Sequence, residues 1–329
     1  MMPLPPLALV TPGDEVELLR SLAAEGAVAF AGGSDLIPGL SWELASADAL
    51  VSLAGVPALR RIDALEDGSV SLGAAVTLAE VARHPLIAGA YPAFADAARA
   101  VGSWELRAQG TIGGNICLST RCRFRNQPPL WREALQPCYQ SDGDVCHAAP
   151  ASRTCVAILS GDTVPALAAL GAQLEIWGDE ARRLPIEDFY SGDGAHHIHL
   201  AKGELLAAVH LPADPPMAAF RKWRARESID FPEANAAVSA VWREGAWRAP
   251  RVFASAVGPA PVRVLAAEAL LDGEEWSEDL LRAAGELARK AVHPYDNGQL
   301  NVVGRQIAVR GLVARALGDL ENARRERGL

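Results

Sequence analysis

The spacing of apolar positions changes repeatedly along the chain, and each change predicts an element. Behind Asp14, the run EVELLRSLAAEG carries apolar residues at helical spacing. This predicts a short amphipathic helix with Asp14 as N-cap and Gly26 as its stop. GAVAFA is continuously apolar and ends on Gly32-Gly33, which predicts a buried strand running into a tight turn. Residues 49–55 and 69–76 predict two further strands, the second followed by a helix in TLAEVARH. PAFADAARAVG predicts a helix ending at Gly102, ahead of a second glycine pair in GTIGGN, residues 110–115. After a long interruption, VAILSG and TVPALAALGAQLEIWG resume regular structure, and residues 204–212 predict a strand closed by Pro212.

ADPPMAAF then reads as a linker and marks a domain boundary. Beyond it, AAFRKWRA, NAAVSAVWRE and RVFASAVG predict a strand meander. PVRVLAAEALL, SEDLLRAAGELARKAV and a last segment from about Asn301 to Leu320 predict helices. Strands followed by helices suggest an α+β layer.

The interruption spans residues 116–155, where hydrophobic periodicity is lost and all five cysteines fall between Cys117 and Cys155. A long loop of this kind in a compact domain is functional or disordered. With 329 residues, 50% hydrophobic and 22% charged, the chain suits two domains that need no disulfide staples. A net charge of -9 argues against a nucleic-acid or anionic-membrane binder. No apolar run approaches the ~18 residues of a membrane helix, and the N-terminus lacks the features of a secretory signal. The expected compartment is the cytoplasm, where cysteines serve as metal ligands, catalytic groups or buried fillers.

Adjacent glycines let backbone N–H groups converge without Cβ interference, and such nests bind phosphate oxygens. Gly32-Gly33 with Ser34 and Asp35 offers this chemistry, as does Gly113-Gly114 with Thr111 and Asn115; either pair alone could equally be an ordinary turn. Neither fits the Rossmann or P-loop signature. Cys122, Cys138, Cys146 and Cys155 are separated by 15, 7 and 8 residues. Four thiolates can bind zinc or a [4Fe–4S] cluster, but these spacings match no common motif of either kind. Their confinement to one irregular stretch weighs against scattered core cysteines. Asp162 and Lys222 carry no signal of their own, and Arg221, Arg224 and Arg226 could form an exposed basic face around Lys222. His196, His197 and His199 could bind a divalent ion, yet their glycine-rich setting favours a surface loop.

Six segments stand in order over nearly the whole chain: AFAGGSDLIPGL, SLGAAVTLAEV, AQGTIGGNI, SGDTVPALAALGA, GELLAAVHLP and FRKWRARESID. Together they resemble the FAD-binding medium subunit of the molybdenum hydroxylase family, which includes xanthine dehydrogenase and carbon monoxide dehydrogenase. The resemblance implies an α+β protein. A vanillyl-alcohol-oxidase-type FAD-binding domain would cover residues 1–212, as α/β subdomains over about 1–57 and 58–212. An α+β domain of the CO dehydrogenase flavoprotein type would cover 213–329. By the same resemblance, Ala29, Phe30, Ala31, Gly32, Gly33, Ser34, Asp35 and Leu36 would wrap the FAD pyrophosphate. Gly73, Thr77 and Val101 would lie near the cofactor. Thr111 and Asn115 would bind its phosphate or ribityl region, with Gly114 allowing close approach. Asp162 would hold polar atoms, Leu206 would pack near the isoalloxazine, and Lys222 would face the ring. No catalytic residue is implied on this chain.

About 40 residues intervene here where that family runs directly from GGNI to the Asp162 motif. The stretch LSTRCRFRNQPPLWREALQPCYQSDGDVCHAAP resembles the loop of the 4-hydroxybenzoyl-CoA reductase β subunit, which carries an extra [4Fe–4S] cluster. The implied ligands are Cys122, Cys138, Cys146 and Cys155, with Cys117 left outside as a flavin-side residue. The implied role is electron transfer from a low-potential donor such as ferredoxin through the cluster and FAD. The electrons would continue to a [2Fe–2S] small subunit and a molybdenum-cofactor large subunit. Two alternatives stay open. One is an FAD subunit of another molybdenum hydroxylase with outward electron flow. The other is a zinc-stabilised, non-enzymatic scaffold.

Overall fold

The structure is a computed structural model and describes residues 3–329. Three sheets organise it. The first is parallel, with β1 (Ala8–Val10), β2 (Ala27–Phe30) and β3 (Ala49–Ser52) in the order β1-β3-β2. The helix Glu15–Leu22 connects β1 to β2. Its first turn is capped by Asp14, whose Oδ1 accepts from the Glu17 amide at 2.8 Å. The helix ends at Leu22, and Gly26 makes a later turn at φ 67°. Leu18 and Leu22 bury against Val51 and Leu53.

The second sheet contains β4 (Ile62–Ala64), β5 (Val70–Gly73), β6 (Gln173–Trp177), β7 (Arg182–Pro185) and β8 (Leu205–Leu211). It is antiparallel in the order β4-β5-β8-β6-β7. The helices Leu78–Arg83, Pro92–Arg99 and Thr163–Leu170 contribute to the same core. All eight residues of Thr163–Leu170 are buried. Apolar all round, this helix forms the centre of the molecule.

The third sheet is a meander of β9 (Met217–Trp223), β10 (Ala234–Arg243), β11 (Ala246–Ser255) and β12 (Val262–Arg263). It is covered by the helices Leu265–Leu271, Glu278–Ala291 and Val302–Glu326. Trp247 stacks on Trp276 at 4.4 Å in this core. The last helix runs six residues past the predicted end. Glu321 accepts from Trp247 Nε1 at 3.0 Å and pairs with Arg324 and Arg325, so its charged face stays anchored.

The predicted regular segment VAILSG is instead an extended passage with one isolated bridge, Arg121 to Ile158. It is buried between the two larger units and holds its neighbours through single bonds, such as Leu159 N to Gly258 O at 2.9 Å. The cysteine-bearing stretch before it contains only a one-turn helix, Pro129–Glu133, and a 3-10 turn, Tyr139–Ser141. It is fixed from both sides. Arg125 and Arg132 donate to the carbonyls of Leu44 and Trp42 at 3.1 and 2.7 Å. The Arg123 amide donates to Asn297 O at 3.1 Å.

Candidate functional site

A cavity of about 460 Å3 opens where the three units meet. The turn after β2 forms one wall, the short helix Ile112–Ile116 another, Leu205 and Leu206 of β8 a third, and Ile229 to Phe231 its rim. Gly32 is required by close approach, since a Cβ there would lie 1.7 Å from Gln109 O. Gly33 is required by its φ of 67°. The amides of Gly32, Gly33 and Ser34 make no backbone hydrogen bond among the described residues. The Asp35 side chain does not cap the helix Leu36–Ser41; it pairs with Arg121. Unengaged amides on a cavity wall suit phosphate oxygens, and the turn therefore fits an FAD pyrophosphate.

The second glycine pair works differently from the predicted nest. Gly113 donates to Ala74 O at 2.8 Å, and a Cβ there would lie 2.7 Å from Ala74 Cβ. Gly114 donates to Thr111 Oγ1 at 3.1 Å, making Thr111 a helix cap. Gly113 thus serves close packing of the helix against Ala74, whereas Gly114 lies on the cavity wall, where a Cβ would meet only Thr111 Oγ1. Asn115 Oδ1 accepts from the Thr163 amide and hydroxyl at 3.1 and 2.7 Å. Its Nδ2 makes no hydrogen bond among the described residues and remains for a ligand at the cavity wall.

Asp162 lies on the wall with both oxygens engaged, by Lys222 Nζ at 2.7 Å and Asn235 Nδ2 at 3.1 Å. Lys222 also donates to Ala100 O and Asp230 O, each at 3.0 Å. Three acceptors use all three ammonium protons. Burial pushes the Asp162 carboxyl up and the Lys222 ammonium down, and each charge is held by the other. Lys222 is therefore held behind Asp162 and is not among the residues lining the cavity.

Of the other expected cofactor residues, Ala29, Ala31 and Leu36 lie on the wall, as do Val101, Thr111, Gly114, Asn115 and Leu206. Phe30, Gly73 and Thr77 do not. The Phe30 ring packs under Gly33. Gly73 sits in β5 against the Leu59 backbone, where a Cβ would come within 2.3 Å. Thr77 is spent on a capping box with Glu80, at 2.8 Å from its amide to Glu80 Oε2. Sequence reasoning missed Ile229, Asp230 and Phe231. Ile229 and Phe231 are 56% and 50% exposed at the cavity rim. Two large apolar residues inside a charged, turn-like segment are the signal that would have found them.

Cys122, Cys138, Cys146 and Cys155 line one small pocket together with Gln140 and His147. None forms a disulfide. Cys117 lies apart, on the wall of the large cavity. Burial pushes the Cys122 thiol up and Cys155 up to about 11. Among the described residues, no three His, Cys, Asp or Glu side chains are grouped so as to hold a single metal ion. Four free thiols facing one pocket are nevertheless the donor set of an all-thiolate iron–sulfur cluster. The histidine-rich loop contributes here in an unforeseen way. His196 is exposed and His197 is half-buried, whereas Asp193 and Gly194 grip the Cys155 backbone at 3.1 and 2.8 Å. The predicted basic face is divided: Arg221 pairs with Asp319, Arg226 pairs with Asp230, and Arg224 donates to Ala100 O.

Comparison with known proteins agrees with this geometry. The family model of the FAD binding domain in molybdopterin dehydrogenase matches residues 6–214. The chain belongs to the molybdopterin dehydrogenase FAD-binding family. The CO dehydrogenase flavoprotein C-terminal domain matches residues 218–320 of this FAD subunit. It is 31% identical over 272 residues to the aldehyde oxidoreductase FAD-binding subunit PaoB of Escherichia coli, covering 77% of this chain and 81% of that one. The nicotine 6-hydroxylase medium subunit of Paenarthrobacter nicotinovorans is 25% identical, with 88% and 89% covered. Quinoline 2-oxidoreductase from Pseudomonas putida 86 shares the fold at a TM-score of 0.79 and 22% identity, over 98% of this chain and 99% of that one. This protein is thus an FAD-binding oxidoreductase subunit of the molybdenum hydroxylase family, with an α+β fold of the carbon monoxide dehydrogenase medium-chain type.

Proposed function

We propose that this FAD subunit also holds a [4Fe–4S] cluster on Cys122, Cys138, Cys146 and Cys155. The observation that carries the reading is the convergence of these four free thiols, and of no fifth, on one pocket. When bound, the two groups supply electron storage and transfer. The chain's own residues position them. Gly32, Gly33 and Ser34 offer amides to the FAD phosphates, and Asn115 offers its Nδ2. Arg121, next to Cys122, pairs with Asp35 of the glycine turn and lies 4.9 Å over the Phe231 ring. One side chain thus ties the cysteine loop to the wall and rim of the flavin cavity.

The partners are a [2Fe–2S] small subunit and a molybdenum-cofactor large subunit, on which substrate chemistry takes place. The loop sequence supports a complex resembling 4-hydroxybenzoyl-CoA reductase in aromatic degradation, fed in the cytoplasm by a low-potential donor such as ferredoxin. A second reading, outward flow from an oxidised substrate, is supported by the 31% identity to an aldehyde oxidoreductase subunit. FAD, iron, acid-labile sulfide and zinc measured on one anaerobic preparation test the cofactor reading. About one FAD with four irons and four sulfides per chain is expected; zinc without iron overturns it. A cluster potential below that of the flavin favours the reductase, and a potential well above it favours outward flow.

A further inference from the structure

Between Cys138 and Cys146, the 3-10 turn Tyr139–Ser141 presents one side chain to a ligand sulfur. Gln140 Nε2 lies 3.3 Å from Cys155 Sγ, 2.9 Å from Thr120 Oγ1 and 3.1 Å from Gly194 O. The orientation of the carboxamide follows from its surroundings. Gly194 O can only accept, and the Thr120 hydroxyl spends its proton on that same carbonyl at 2.6 Å. Both oxygens therefore call for the amino end of Gln140; lying only 2.6 Å apart, they share one N–H as a bifurcated bond, and the second N–H is left for the sulfur. The acceptor is equally fixed. The Cys155 amide donates to Asp193 Oδ1 at 3.1 Å, and its carbonyl accepts from Gly194 at 2.8 Å. Gly194 lies so close that a Cβ there would sit 3.1 Å from Cys155 Sγ. The neighbouring Ser141 differs: its hydroxyl is 3.7 Å from Cys138 Sγ and 3.3 Å from the Cys138 carbonyl.

We propose that Gln140 is a positioning residue that raises the reduction potential of the cluster by donating its Nε2–H to Cys155 Sγ. The proposal rests on the [4Fe–4S] reading given above. Reduction adds one electron to the cluster, with no bond made or broken and no proton moved. The added charge spreads over the sulfurs, and a fixed N–H donor stabilises the electron-rich state more than the electron-poor one. Without the donor, reduction becomes harder.

The test is an EPR-monitored redox titration of the purified complex, with dithionite as reductant, for wild type, Gln140→Leu and Ser141→Ala. Iron and sulfide are counted on each sample. Gln140→Leu should retain four irons and lower the reduction equilibrium constant about tenfold, a downward shift of about 59 mV for one electron. Ser141→Ala should leave the potential near that of wild type. A full cluster with an unmoved potential in Gln140→Leu overturns the inference. A wild type without iron overturns the cluster reading itself, so the two failures are distinct. If Gln140→Leu cannot hold the cluster, the wild-type complex decides. With 15N-labelled glutamine, the reduced cluster should show hyperfine coupling to one side-chain nitrogen and its exchangeable protons, and no coupling overturns the proposal.

Discussion

Replacing Gly32 with Ala tests how the flavin cavity is built. A Cβ at this position would lie 1.7 Å from Gln109 O and 2.4 Å from Gln109 C, both backbone atoms. To restore even 3.0 Å, the glycine turn and the Gln109–Gly110 segment must separate by about 1.3 Å. Overpacking of this kind costs about 1–3 kcal/mol. Both segments face the cavity, so the cost falls on ligand binding, and FAD affinity should weaken roughly 5- to 150-fold. Gly39→Ala is the control. It lies in the adjacent helix, its Cβ would meet only Ala45 Cβ at 3.8 Å, and affinity should not change. Apoprotein titrated with FAD, followed by quenching of flavin fluorescence, measures both. A Gly32→Ala affinity within about twofold of wild type would falsify the close-approach argument.

Three further outcomes are expected. Lys222→Met leaves Asp162 buried without its cation, which costs about 3–5 kcal/mol; an unchanged urea midpoint would show that the pair is not structural. Cys146→Ser should remove the iron and leave FAD occupancy intact, and full iron content would break the proposed ligand set. Burial pushes the Cys117 thiol from 9.0 up to about 12. The folded chain keeps this proton while the unfolded chain releases it, so stability falls as pH rises from 9.0 towards 12. At pH 8 the native apoprotein should therefore alkylate at Cys117 about a thousandfold more slowly than denatured chain, as read by mass spectrometry. Equal rates would refute this.

Much of the fold is legible because its elements obey local rules. Asp14 caps its helix as a short acidic side chain at the N-cap should, and β8 and β10 sit where mainly apolar runs place them. Gly32-Gly33 is readable as a turn because strand and glycines are contiguous. The roles of Gly73, Thr77 and Lys222 are not readable in that way. A glycine needed for close packing on Leu59 and one needed beside a phosphate have the same letter. The acceptors that saturate Lys222 lie 60 and 122 residues away in Asp162 and Ala100, as well as at Asp230. Likewise, nothing local in SGDGAHH announces that Asp193 and Gly194 fasten Cys155. That contact joins two irregular segments, for which periodicity carries no information.

The clamps on the cysteine loop also constrain when this chain can mature. Asn297 donates to Val156 O at 2.6 Å from 141 residues away, and Asn297 O holds the Arg123 amide. Both flanks of the cysteine-bearing stretch therefore wait on a residue made more than 140 positions later. A chain emerging from the ribosome can close its first sheet early, but these two clamps form only after residue 297 has been made and docked. A C-terminal truncation before Asn297 would therefore remove clamps from both flanks of a stretch more than 140 positions upstream.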